Sequence, residues 1–243
     1  MTFKKSAVLL STLVLSGAAM AQAAKPEPEY TLGFNVGAVT DYKYRGISQT
    51  RLKPALQGGI DFAHKSGFYL GAWGSSIKWI KDGGGGADVE IDVYGGYKFN
   101  AGPVGMDLGV LTYNYPDHNL AISPSTQELY AAGTWGPATL KYSHSVSNLF
   151  GFANSKGSYY LDLSATFDLG SGWGITPHIG YQHVRRNSAF SYTDYSVTLT
   201  KDFGNGFSAS AALVDTDSNG VYLSPGGKNL GKASVIVGVK YAF

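Results

Sequence analysis

Cysteine is absent from all 243 residues. That excludes a disulfide framework and any thiolate metal site, while leaving the compartment open. Charge is scarce: 15% of residues are charged and the formal net charge is +2. Such a balance offers no basic surplus of the kind nucleic acid attracts. After the first two dozen residues no apolar run reaches the roughly 18 that a spanning helix needs, so a helical membrane protein is excluded. No helical stripe of period 3.6 is evident either.

The opening segment, "MTFKKSAVLLSTLVLSGAAMAQAA", has a different character from the rest. Lys4 and Lys5 precede an apolar stretch from Ala7 to Leu15, and small residues follow. This is the layout of a cleaved secretory signal peptide. Ala21-Gln22-Ala23 fits the small-x-small cleavage pattern, with Ala19-Met20-Ala21 as a competitor. The expected organisation is a signal peptide over residues 1–23 and one domain over residues 24–243. Cleavage removes two lysines and no acid, which leaves 17 Lys+Arg against 17 Asp+Glu in the mature chain.

Glycine and aromatic residues are abundant: 33 glycines, and a 14% aromatic share that includes 17 tyrosines. From Tyr30 onward, period-two alternation dominates. Twelve candidate strands fall near 30–42, 53–63, 67–79, 87–99, 103–114, 126–135, 137–148, 157–168, 173–184, 190–202, 206–216 and 231–243. Most exceed the five or six residues usual in soluble sheets. They match the roughly 9–11 residues of a strand tilted across a bilayer. The connections alternate between long ("KYRGISQTRL", "YPDHNLAISPST", "DSNGVYLSPGGKNL") and short ("HKS", "NAG", "GN"). An even strand number then puts both termini at the short-turn end. The fold class expected is all-β: a single antiparallel transmembrane β-barrel of about 12 strands, with short periplasmic turns and long extracellular loops.

Many strands sort into one apolar and one polar face. In "ADVEIDVYGGYKF", Val89, Ile91, Val93, Tyr97 and Phe99 oppose Asp88, Glu90, Asp92, Tyr94 and Lys98. In "VGMDLGV", Val104, Met106, Leu108 and Val110 oppose Gly105, Asp107 and Gly109. Alternation alone does not fix which face is inside. A closed ring of twelve such strands is too wide to be filled dry, because about eight already reach that limit. A charged face is tolerable only where it meets water. Aromatics near strand ends (Tyr42, Trp79, Phe99, Tyr113, Trp135, Phe167, Trp173 and Phe203) suggest interfacial girdles. The apolar face therefore belongs outside.

The last strand, "ASVIVGVKYAF", presents Val235, Val237, Val239, Tyr241 and Phe243 on one face. Val239, Tyr241 and Phe243 fit a C-terminal assembly signal read by barrel-assembly machinery. Closure requires this strand to pair with the first, "TLGFNVGAVTDY", so that no edge is left in lipid.

Three blocks, "DYKYRGISQT" (41–50), "KPALQGGIDF" (53–62) and "SGFYLGAWGS" (66–75), resemble the TorF family of porins. Strand spacing, length and the closing "VGVKYAF" agree over the mature chain. The resemblance implies a Gram-negative outer-membrane, porin-like protein, and supplies neither a substrate nor catalytic residues.

The candidate pore lining is Asp88, Glu90, Asp92, Lys98, Asp107, Lys141 and Asp162. Asp61, Asp168 and Lys240 share that wet face. Acids outnumber bases there, which suggests weak cation preference. Lys43, Arg45, Arg51 and Lys53 lie in the first long loop and are expected at the extracellular mouth. They could focus anionic solutes, meet lipopolysaccharide phosphates, or simply be solvated. Arg45-Gly46 marks a tight bend there.

Small solutes or ions, outer-membrane lipids and lipopolysaccharide are the expected partners, with no cofactor, no metal and no catalytic residue. Enzyme chemistry finds little support. His144 points away from Ser143 and Ser145, and His178 and His183 face opposite sides of one strand, so no His–carboxylate cluster at metal-ligand spacing is expected. Two alternatives to a diffusive channel stay open: a binding or structural barrel with a plugged lumen, and a lipid-active enzyme.

Overall fold

The computed structural model describes residues 28–243. The expected signal peptide, residues 1–23, lies outside the described residues. Twelve long strands form the wall: β1 (Tyr30–Val39), β2 (Ala55–His64), β3 (Phe68–Ser76), β4 (Val89–Ala101), β5 (Val104–Asn114) and β6 (Thr126–Trp135). The second half is β7 (Ala138–Ser145), β8 (Tyr159–Ala165, continued by Phe167–Gly170), β9 (Trp173–His183), β10 (Tyr192–Gly204), β11 (Phe207–Thr216) and β12 (Ser234–Ala242). β8 is interrupted at Thr166, whose amide still donates to Pro137 O, 2.9 Å away.

Each strand pairs antiparallel with its sequence neighbours, and β12 pairs with β1, so the ring closes. The closing register sets Val36 against Tyr241 and Ala38 against Val239. Phe34 and Phe243 exchange backbone bonds of 2.9 and 3.0 Å. Closure matters because each unpaired backbone group facing hydrocarbon would cost several kcal/mol. The short connections all lie at one end, together with Tyr30 and Phe243, and the long ones at the other.

The outer face is apolar. Leu32, Phe34, Leu56, Val93, Leu108, Leu129, Leu161, Val197, Leu213 and Val237 are all exposed on it. A continuous apolar belt of this size is far beyond what a soluble monomer shows to water. Hydrocarbon is the solvent that suits it, at about 25 cal/mol for each Å² kept from water.

Aromatic girdles flank the belt. Near the short turns, Phe34 stacks on Phe243 and Tyr97 on Phe99, Phe203 packs tilted against Phe207, and Trp135 is 70% exposed. Near the long loops, Tyr142, Tyr159, Tyr181 and His183 form a second set. Phe99, Trp135, Phe167, Trp173 and Phe203 belong to the outer face as the sequence suggests. Tyr42, Tyr113 and Trp79 do not: the two tyrosines are buried inside the barrel, and Trp79, in the connection after β3, packs against the same buried cluster. Position near a strand end does not fix the face, since residue parity does.

The inner wall has a repeated device. The rings of Tyr94, Tyr69, Tyr130 and Tyr160 lie flat over Gly71, Gly96, Gly109 and Gly180 of neighbouring strands, where any Cβ would overlap them. Glycine here makes room for a ring to lie along the wall rather than across the lumen. Part of the high glycine and tyrosine content is explained by this pairing.

Candidate functional site

The first long connection, residues 40–54, does not project outward. Lys43–Tyr44 and Ile47–Ser48 form a miniature ladder around Arg45-Gly46, and this hairpin folds into the barrel. Arg45 reaches Glu128 on β6 at 2.7 Å and Gln182 on β9 at 2.6 Å. Its guanidinium lies 4.3 Å from the Tyr160 ring on β8 and 4.8 Å from that of Tyr44. In a ring of twelve, β6 and β8 flank the strand opposite β1, so the hairpin spans the lumen. At its tip, Gly46 presses on Asp194 and Thr216, leaving no space for a Cβ.

Both flanks of the hairpin are anchored. Tyr42 donates to Glu90 Oε1 at 2.6 Å, and Tyr44 and Tyr113 share a hydrogen bond of 2.5 Å. Ser48 and Thr50 donate to Asp41 Oδ1 at 2.5 and 2.9 Å. Burial nonetheless pushes the Asp41 carboxyl above its ordinary pKa. Ile47 packs with Tyr192 and Leu230.

Above the hairpin is a cavity of about 420 Å³, lined by Tyr44, Trp79, Tyr113, Tyr115, Phe150, Tyr192, Tyr222 and neighbouring residues from the long loops. Below it the lumen is polar. His178 lies 2.9 Å from Asp162 and 3.6 Å from Asp194, and Tyr160 donates to Asp194 at 2.9 Å. Lys141 faces Asp162 across the ladder, with its ammonium 4.0 Å from the Tyr130 ring. Tyr69 donates to Asp107 at 2.6 Å, and Tyr94 to Asp61. Lys98 sits opposite Asp107 and 4.9 Å from the Tyr69 ring.

The expected site residues thus separate into groups. Glu90, Asp92, Lys98, Asp107, Lys141 and Asp162 are placed on the inner face, alternating with exposed apolar residues. Asp88 has the same parity but lies one residue before β4. It is exposed and pairs with Lys81 at 2.8 Å, which holds its carboxyl below the ordinary pKa.

Arg45, expected at the mouth, turns into the barrel near its long-loop end, where its side chain is 6% exposed. The two-residue turn and the carboxylate opposite draw it inward. Lys43 is half-buried and donates to Lys232 O at 2.7 Å. Arg51 pairs with Asp82 at the surface, and Lys53 is exposed. Val239, Tyr241 and Phe243 lie on the outer face beside the closing seam.

One His–carboxylate group is nonetheless assembled between strands rather than along one. His178, Asp162 and Asp194 come from three adjacent strands, which spacing along one strand could not reveal. No group of three or more His, Cys, Asp or Glu among the described residues could hold a metal ion.

Glu128 and Asp194, absent from the sequence-based lining set, carried a usable signal. Both alternate with apolar neighbours, in "TQELYAAG" and "SYTDYSVTL". That Glu128 faces inward was therefore open to parity, though its contact with Arg45 was not.

A closed barrel with a hydrocarbon-compatible exterior and a charged, polar interior is the architecture of porin-type proteins. A family model matches residues 23–243, and the chain belongs to that family, described as a bacterial protein of unknown function (Gcw_chp). Curated proteins offer no match. Among solved structures, the fold is similar to the KdgM porin in complex with disordered oligogalacturonate: TM-score 0.57, 10% identity, covering 87% of this chain and 98% of that one. It is also similar to the NanC porin, with TM-score 0.56, 13% identity, and coverage of 87% and 99%.

Proposed function

We propose that this protein is an outer-membrane channel for passive diffusion of small hydrophilic solutes or ions, with the 40–54 hairpin forming its constriction. The observation that carries this reading is the inner wall below the hairpin. Asp61, Asp107, Asp162, Lys98 and Lys141 face a lumen where only water could solvate them fully. Acids exceed bases on that wall, so cations are the favoured ions.

The same proposal includes export by a cleaved segment at residues 1–23 and membership of the TorF porin group. It also includes residence among outer-membrane lipids and lipopolysaccharide, and assembly through Val239, Tyr241 and Phe243. The chain's similarity in fold to the KdgM and NanC porins supports the channel reading at the level of architecture.

The hairpin's anchors on both sides of the lumen favour a second reading, a non-conducting barrel with a plugged lumen. Single-channel recording in planar bilayers separates the two. Stepwise openings of the purified protein with cation-selective reversal potentials support the channel. A folded barrel that never conducts supports the plug.

A further inference from the structure

Arg45 occupies a position where its turn does not favour it. Arg45 and Gly46 have φ of 46° and 78°. These are the central residues of a two-residue hairpin loop of the kind that favours Asn-Gly, because a long side chain is disfavoured in the left-handed region. A residue held in such a conformation is a pointer to function.

Here the side chain enters a site that the barrel wall supplies almost entirely. Glu128 provides a carboxylate at 2.7 Å, Gln182 an amide oxygen at 2.6 Å, and Tyr160 a ring face at 4.3 Å. Glu128 Oε1 is buried without a hydrogen-bond partner, leaving a second acceptor on the same carboxylate. A planar cation with forked donors fits this combination better than a compact ion does. Anions are disfavoured, because Glu128 is the nearest charge and Asp194 lies close by at the hairpin tip.

We propose that Glu128, Gln182 and Tyr160 form a solute site for small guanidinium- or amidinium-type organic cations, and that Arg45 is its tethered occupant. A free cation and Arg45 compete for one place, so occupation by solute releases the hairpin tip. Asp194 and Asp162 lie next along the wall and continue the acceptors towards the short-turn end. Passage of the cation rests on the channel reading; its binding does not.

Arg45→Ala empties the site and leaves its wall intact. The test compares the heat-unfolding midpoint of the purified full chain in detergent with millimolar guanidinium chloride against equal sodium chloride. Binding to the folded form raises the midpoint. Arg45→Ala should rise by a few degrees in guanidinium, the unmodified protein by much less, and Arg45→Ala with Glu128→Gln not at all.

Equal midpoints of Arg45→Ala in the two salts, or a rise that survives Glu128→Gln, would overturn the site. If Arg45→Ala does not fold, Arg45→Lys serves instead. Its ammonium cannot reproduce the fork, so guanidinium should still raise its midpoint, and no rise overturns the proposal.

Bilayer recording then separates the two ideas. A midpoint rise with no conductance in any variant keeps the site and removes the channel. Conductance without guanidinium-dependent block or midpoint shift in Arg45→Ala removes the site and keeps the channel.

Discussion

The lumen has two regions that solve opposite problems with similar residues. In the section nearest the long loops, Tyr42 and Tyr44 of the inserted segment hydrogen-bond to Glu90 and Tyr113 on the wall, and these contacts hold the hairpin in place. Below it, Tyr69, Tyr94 and Tyr130 lie flat on wall glycines and keep to the periphery. The difference is in what each ring packs on: a hairpin tied to the wall by side-chain bonds in one case, a glycine without a Cβ in the other. Tyrosine content alone therefore says nothing about whether a barrel is open, and the glycine opposite each ring does.

The largest effect should follow from abolishing the first region. Replacing residues 43–48 with a short Gly-Ser link removes the span to β6, β8 and β9. Single-channel conductance should rise severalfold, and an unchanged value would place the constriction elsewhere.

The second region can be broken from the wall. At Gly109 a new Cβ would meet the Tyr130 ring at 2.5 Å, whereas at Gly33 nothing lies within 4 Å. Gly109→Val should cost about 1–3 kcal/mol by overpacking. Gly33→Ala should stay within about 0.5 kcal/mol. Urea unfolding of the barrel in detergent or liposomes measures both, and equal costs would contradict the role given to the glycines.

A smaller effect distinguishes charges by depth. Neutralising Asp107 and Asp162, on the lumen wall below the hairpin, should shift the reversal potential towards anions. Asp88→Asn should leave it nearly unchanged, because exposed charges are screened within about 8 Å at physiological salt.

The smallest effect concerns the rim. The Lys81 ammonium lowers the folded-state pKa of Asp88, so this tie is present above the ordinary aspartate range and is lost as pH falls through the lowered value. Lys81→Ala should move the Asp88 titration upward, as followed by carboxyl NMR, with little change in stability.

Much of this was legible in the sequence. Strand number, strand limits to within about three residues, the alternation of turn lengths and the outer face followed from period-two patterning, because one-residue parity decides the face on a barrel wall. Val89, Ile91 and Val93 could face only one way once Glu90 and Asp92 faced the other. The inserted hairpin was only half legible. "KYRGIS" shows a two-residue turn between alternating residues, but a turn does not declare whether it projects or folds back. Its direction depends on Glu128, which lies 83 residues from Arg45 in the chain. The His178 cluster was hidden for the same reason, since it is assembled across strands.

The central claim is that the polar face of the wall meets water and the apolar face meets hydrocarbon. The absence of native cysteine allows a clean measurement on β5. Single cysteines at 105 through 108 and at 110 are treated in native membranes with a charged, water-soluble thiol reagent. Labelling is expected at 105 and 107, with protection at 106, 108 and 110. Uniform labelling, or the reverse alternation, would contradict the claim.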